Sequence, residues 1–129
     1  MLKISQPLLS ICIPTYNHLD MLKKCLNYIF VACKGYENNI EIIISDNAST
    51  DGTKEYIESL RNSNLIYKQN SQNLGFNKNL FLLIDSYASG EYVWTIGDDD
   101  FISKDSISIF LSNYNKTDLF LFKYKFQWL

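Results

Sequence analysis

Three adjacent carboxylates, Asp98, Asp99 and Asp100, directly follow the apolar stretch Tyr92-Val93-Trp94-Thr95-Ile96-Gly97. Carboxylates crowded at the end of a buried strand repel one another, and without a partner one or more would take up protons. A bound Mn²⁺ or Mg²⁺ removes that conflict, because hard cations take oxygen ligands and Mg²⁺ often shares its shell between carboxylates and substrate phosphates. The chemistry expected of this run is cation-assisted binding of a diphosphate. The plainer account is a solvated acidic turn in which one Asp caps a helix.

Three further clusters carry weaker signals. Asp46 or Asn47, at a strand end, can accept the imide N–H of a pyrimidine and so select a base, although turn and cap chemistry accounts for the pair alone. In Thr15-Tyr16-Asn17, which follows Pro14, Tyr16 can stack on a flat base while Thr15 hydrogen-bonds; a Tyr packed on the surface is the alternative. Gly75-Phe76-Asn77-Lys78-Asn79 opens a helix whose N-terminus favours anions, with Lys78 either adding charge toward a diphosphate or simply facing solvent. Asp51-Gly52 reads as helix entry and tight turn. His18, the single histidine, stands beside Asn17 at a helix start, where capping or exposure is expected rather than catalysis. No GxxxxGK[ST], GxGxxG or GxSxG occurs.

These clusters need a scaffold to bring them together. Leu8 to Ile13 is an apolar run stopped by Pro14 and reads as a buried strand. Leu19, Leu22, Leu26, Ile29 or Phe30, and Cys33 recur at three- and four-residue steps, which makes one helical stripe ended by Gly35. Ile40 to Ile44 is a second buried strand, and a helix is expected from about Thr53 with Tyr56, Ile57 and Leu60 inward. Leu65 to Lys68 is a weak strand. A helix follows from Phe76 to Ala88, then a strand from Tyr92 to Ile96, a helix near Lys104 to Tyr114, and an alternating strand from Leu119 to Trp128. Strands apolar on both faces, alternating with helices, predict an α/β fold: a mainly parallel sheet with helices on both faces, Rossmann-like. Ligands of such sheets bind beyond the carboxyl ends of the strands, where all three strand-end clusters would lie.

Composition narrows the partners. The 129 residues, 47% apolar and 15% aromatic, suffice for one domain with a hydrophobic core. Twelve basic against fourteen acidic residues, without a basic block, argue against nucleic acid as the main partner. Cys12, Cys25 and Cys33 lack metal-site spacing, and at least two fall on apolar faces; they read as reduced core residues of a cytosolic protein. The N-terminal residues are too short and polar a stretch for a signal peptide, and no apolar run reaches membrane-spanning length.

Taken together, Leu9-Ser10-Ile11-Cys12-Ile13-Pro14-Thr15-Tyr16-Asn17, Glu41 to Thr53, Asn73 to Asn79 and Gly90 to Asp100 resemble family 2 glycosyltransferases of the GT-A fold, in order and over nearly the whole chain. The Gly97-Asp98-Asp99-Asp100 form, with Gly-Phe-x-Lys-Asn upstream, resembles a bacterial branch that includes abequosyltransferase-like enzymes of surface-polysaccharide synthesis. The resemblance implies an inverting enzyme that uses a nucleotide-diphosphate sugar, a UDP-sugar favoured, with Mn²⁺ or Mg²⁺ and a glycan or lipid-linked acceptor. It also implies a cytoplasmic place, peripheral at the inner face of the plasma membrane.

By the same resemblance Pro14, Thr15 and Tyr16 lie against the base, with Asp46 and Asn47 at its edge and Lys78 toward the diphosphate. Asp98 approaches the ribose, and Asp99 and Asp100 serve the metal. Gly97 stands where the family pattern Asp-x-Asp-Asp has its first Asp, which leaves the division among the three carboxylates open by one position. Residues 1–129 are expected to form a single nucleotide-sugar-binding domain, cut before an acceptor-binding segment that carries the catalytic base beyond Leu129. Self-association through the alternating C-terminal strand is expected as well. A sugar-1-phosphate nucleotidyltransferase would need a Gly-rich, Arg-containing loop where this chain has Thr15-Tyr16-Asn17-His18-Leu19. A non-catalytic α/β nucleotide-binding or interaction module is the remaining alternative.

Overall fold

A computed structural model of the chain describes residues 6–116. Its elements run β1 (Leu9–Thr15), α1 (Leu19–Cys33), β2 (Ile40–Asp46), α2 (Thr53–Ser59), β3 (Leu65–Gln69), α3 (Phe76–Leu82), β4 (Tyr92–Thr95) and α4 (Ser106–Asn113). The four strands form one sheet in the order β3-β2-β1-β4, and every pairing is parallel. The expected strand from Leu119 to Trp128 lies outside the described residues.

The two central strands are covered on both sides, as their predominantly apolar sequences require. On one face Leu9, Ile11, Ile13, Ile40, Ile42 and Ile44 pack against Leu22, Leu26 and Ile29 of α1, together with Ile57 of α2 and Ile107 and Phe110 of α4. On the other, Cys12 and Ile43 pack against Leu83. Burying each such side chain is worth roughly 1.5–3 kcal/mol. Cys12, Cys25 and Cys33 are free and buried in these layers, and burial pushes each thiol up to about 12. Among the described residues no helix is long and apolar enough to cross a membrane.

The structure differs from the sequence reading in two places that matter for the site. First, β1 runs through Pro14 to Thr15, in register with Ser45 and Asp46. The Cys12 carbonyl accepts the Ile96 N–H on the β4 side, and Pro14, two residues on, faces the same way. The last β1–β4 pair is Cys12 with Thr95, so the N–H that Pro14 lacks falls where the β4 ladder stops and leaves the pairing with β2 intact. Second, the helix expected over Phe76 to Ala88 is α-helical only to Leu82. Leu83–Tyr87 is a π-helical turn, closed by the Ala88 N–H on the Leu83 carbonyl at 2.9 Å, and Leu83 is the residue this turn seats on the sheet. The last helix, expected near Lys104 to Tyr114, runs from Ser106 to Asn113.

Candidate functional site

The carboxyl ends of β1, β2 and β4 meet at one edge of the sheet. The Thr15 hydroxyl donates to Oδ2 of Asp98 at 2.8 Å, and the Asn47 N–H donates to the Thr15 carbonyl at 3.0 Å. The loops after β1 and β2 are zipped by the Asn17 N–H on Ser49 Oγ and the Thr50 N–H on Asn17 Oδ1. Above this junction is an open cavity of about 380 Å³. Pro14, Thr15 and Tyr16 form one side of it, Asn47 lies between, Gly75 and Phe76 form another side, and Asp98 and Asp99 complete the wall.

The three carboxylates do not act alike. Asp98 is tied twice, to Thr15 and, through Oδ1 at 3.0 Å, to Nδ1 of His18. Asp100 folds back and accepts the Gly97 N–H at 2.9 Å, while its own N–H meets the Gly97 carbonyl at 3.1 Å. Asp99 is exposed on the cavity wall, and among the described residues no donor holds its carboxylate. Described residues contain no cluster of three or more His, Cys, Asp or Glu that could hold a metal by itself. The turn is anchored to α1 by the Cys25 thiol, 3.6 Å from the Gly97 carbonyl.

Asp46 and Asn47 follow one another but lie differently. Asp46 is 0% exposed and does not line the cavity. Its Oδ1 accepts the Ser49 N–H at 2.9 Å, and its Oδ2 accepts the Tyr67 hydroxyl. Asn47 lines the cavity, yet its amide is also committed: Oδ1 accepts the Leu74 N–H and Asn70 Nδ2, and Nδ2 donates to the Gly75 carbonyl at 3.1 Å. Gly75 has φ +83°, a left-handed conformation that side chains disfavour, so the loop turns there with its carbonyl facing Asn47. Asn70 also donates to Asn79 Oδ1, which accepts the Ser45 hydroxyl; Asn79 Nδ2 returns a bond to the Ser45 carbonyl. A buried amide network of this kind rigidifies the cavity wall because every member is satisfied.

Pro14, Thr15, Tyr16, Asn47, Asp98 and Asp99 are thus brought to one cavity, while Asp46 lies below it. Asp100 turns back on Gly97, and Lys78 is exposed on α3 without lining the space. The cavity also holds residues that the sequence reading did not select, among them His18, Phe76 and Asn79. Asn79 had a usable signal, since it occupies an apolar-phase position of its helix one turn before Leu83. Phe76 is 65% exposed at the start of α3, as Tyr16 is 48% exposed across the loops. His18 occupies the N-cap position of α1 but makes no capping bond. That task falls to Asp51, whose Oδ2 accepts the Leu19 N–H and whose Oδ1 accepts the Thr53 N–H and hydroxyl. Burial opposes ionisation of Asp51, but these bonds outweigh it and lower its pKa. The hydrogen bond to Asp98, then the charge of Asp98, raises that of His18.

Comparison with known proteins agrees with this geometry. Residues 10–124 match the family model described as Glycosyl transferase family 2. The chain is 47% identical over 119 residues to the abequosyltransferase RfbV of Salmonella typhimurium, covering 88% of this chain and 35% of that protein. It is 32% identical over 122 residues to the GalNAc(5)-diNAcBac-PP-undecaprenol beta-1,3-glucosyltransferase of Campylobacter jejuni, covering 85% and 35%. The structure superposes on the crystal structure of S. aureus TarS 1-349 in complex with UDP-GlcNAc with a TM-score of 0.75 and 27% identity, over 84% of this chain and 31% of that one. The chain spans about a third of the length of these relatives. With its parallel sheet and with residues 10–124 aligned, this chain belongs to glycosyl transferase family 2.

Proposed function

We propose that this chain is the donor-binding part of an inverting glycosyltransferase that moves a sugar from a nucleotide diphosphate, a UDP-sugar favoured, to a glycan or lipid-linked acceptor in bacterial surface-polysaccharide synthesis. The observation that carries this reading is the Thr15–Asp98 hydrogen bond, which joins the ends of β1 and β4 beside Asn47 and Asp99 in one cavity. The names of the relatives support the class of reaction, and the bound UDP-GlcNAc of the TarS complex supports a uridine nucleotide.

In this reading Pro14, Thr15 and Tyr16 bear on the base, and Tyr16 offers a ring face for stacking. Asp46 and Asn47 act as the fastened floor and rim below the base rather than as free readers of its edge. Asp98 faces the ribose. Asp99 is the carboxylate for Mn²⁺ or Mg²⁺, with Asp100 shaping the turn beneath it. The donor set fits a hard cation: it is carboxylate oxygen, and with so few protein ligands the rest of the shell would come from diphosphate and water. When bound, such an ion stabilises negative charge on the departing diphosphate. Lys78, exposed near the opening of α3, adds charge only at longer range. The base that takes the acceptor proton is assigned beyond Leu129. A cytoplasmic place at the inner face of the membrane follows from the lipid-linked acceptor. The alternating segment Leu119 to Trp128 supports self-association, which light scattering tests.

Calorimetric titration with UDP, with Mn²⁺ and then with excess EDTA, tests the reading. Binding that requires metal and is lost in Asp99→Ala is the expected result. Silence with UDP, CDP, GDP and dTDP alike would leave only an α/β interaction module.

A further inference from the structure

We propose that His18 is a positioning residue of the nucleotide site: its Nδ1–H and the Thr15 hydroxyl grip the two oxygens of Asp98, holding that carboxylate toward the nucleotide and leaving Asp99 for the cation. The proposal rests on the donor-binding reading above, and it gives the single histidine a task beyond its place at a helix start.

Three observations carry it. A carboxylate accepts and cannot donate, so the 3.0 Å contact requires the proton on Nδ1 of His18. The histidine is also free to make that contact, because Asp51 already satisfies the Leu19 N–H at the start of α1. Its backbone is nevertheless fixed, since its carbonyl accepts the Leu22 N–H at 3.0 Å. Finally, Asp98 needs the grip. Its side chain is only 15% exposed and sits next in sequence to two like charges, so an unheld carboxylate there would swing away from its place. Donors from opposite sides, one on β1 and one at the start of α1, remove that freedom. Without Nδ1–H the Asp98 carboxylate keeps one donor and can rotate about its own bonds toward Asp99, where it would compete for the ion.

The tautomer offers a direct test because the chain has one histidine. Free neutral imidazole carries its proton mainly on Nε2. Long-range ¹H–¹⁵N spectra of the chain, recorded with the imidazole neutral, are expected to show the Nδ1–H form and to revert to Nε2–H in Asp98→Ala. An Nε2–H form in the unsubstituted chain overturns the proposal, whatever the chain binds. The second arm measures UDP affinity in Mn²⁺ by calorimetry. His18→Ala is expected to weaken it about tenfold, the size of one hydrogen bond to a charged group. His18→Asn, whose amide N–H lies near the Nδ1 position, is expected to recover most of the loss, and His18→Gln, which places it near Nε2, is not. Equal affinity of His18→Ala and the unsubstituted chain, or failure of Asn to recover more than Gln, overturns the proposal. Absence of UDP binding by the unsubstituted chain instead removes the donor-binding reading, and the tautomer then decides the His18–Asp98 pair alone. Melting curves for each variant separate a local loss from unfolding.

Discussion

The phenolic hydroxyl of Tyr67 on β3 donates into the Asp46 carboxylate on β2, at a point where Asp46 has no exposed surface. Burial, then this hydrogen bond, raises the Tyr67 pKa, so the phenol stays a donor across the working range. Tyr67→Phe keeps the ring but leaves a buried carboxylate oxygen without its partner. The expected loss is about 1–3 kcal/mol of stability, read from urea denaturation. Because the Ser49 N–H also holds Asp46, the loop over Asp46 to Asn47 should loosen without unfolding. Hydrogen exchange at Ser49 would show it.

Asn47 allows a sharper test, since Asn→Asp changes one donor to an acceptor with no change in size. The new oxygen would face the Gly75 carbonyl, now 3.1 Å from Nδ2, while Oδ1 kept its bonds to Asn70 and Leu74. Asn47→Asp is expected to lower stability by about 1–3 kcal/mol near neutral pH, the cost of an unpaired buried acceptor. Protonation relieves the penalty: a neutral carboxyl can donate to the Gly75 carbonyl. The gap between variant and parent melting temperatures should therefore narrow as pH falls toward the carboxylate range. A gap that stays constant with pH would refute this account of the loop.

His18 supplies a pH dependence of its own. Hydrogen bonding to Asp98, the Asp98 charge, and the charges of Asp99 and Asp51 favour the protonated ring, against a smaller penalty from burial. The folded-state midpoint therefore lies above the ordinary 6.5. A raised midpoint means that the stabilisation is fully present below the unfolded value and is lost as pH rises through the folded one. The single imidazole C2–H resonance should titrate above 6.5 in the parent chain and move back toward it in Asp98→Asn. Stability measured across the same interval should fall in the parent and change less in the variant.

How much of this was legible beforehand depends on distance along the chain. The β-branched run of Ile40 to Ile44 and the three-and-four spacing from Leu19 to Cys33 are local patterns, and each produced the element that it implied. The clusters after β1, β2 and β4 also converge, because parallel strands in one sheet place their carboxyl ends on one edge. The extension of β1 past Pro14 was hidden, since whether a proline is tolerated depends on which neighbour its missing N–H would have faced. The π-helical turn at Leu83 was hidden because apolar spacing does not register one extra residue in a turn. The pairings of Asp98 with His18 and of Asp46 with Tyr67 join residues 80 and 21 positions apart, and no local pattern announces either.

Two glycines separate stability from binding. A Cβ on Gly90 would lie 2.7 Å from both the backbone N and the Oγ of Ser10 and 3.0 Å from the Leu9 carbonyl carbon. Those atoms belong to β1 and cannot retreat, since the Ser10 hydroxyl is held between the Gly90 N–H and Glu41. Gly90→Ala is expected to destabilise the fold by about 1–3 kcal/mol, the usual penalty for overpacking. A Cβ on Gly97 would also clash, 2.9 Å from Oδ2 of Asp100 and 3.1 Å from Oδ1 of Asp99. These are the free ends of side chains, which can swing aside at the expense of the bond between Asp100 and the Gly97 N–H. Gly97→Ala should therefore melt close to the parent while redirecting the two carboxylates nearest the proposed cation. Its Mn²⁺-dependent affinity for UDP should fall several-fold more than that of Gly90→Ala measured below its own melting range. Equal losses of affinity in the two variants would mean that the Asp99–Asp100 turn has no special part in binding.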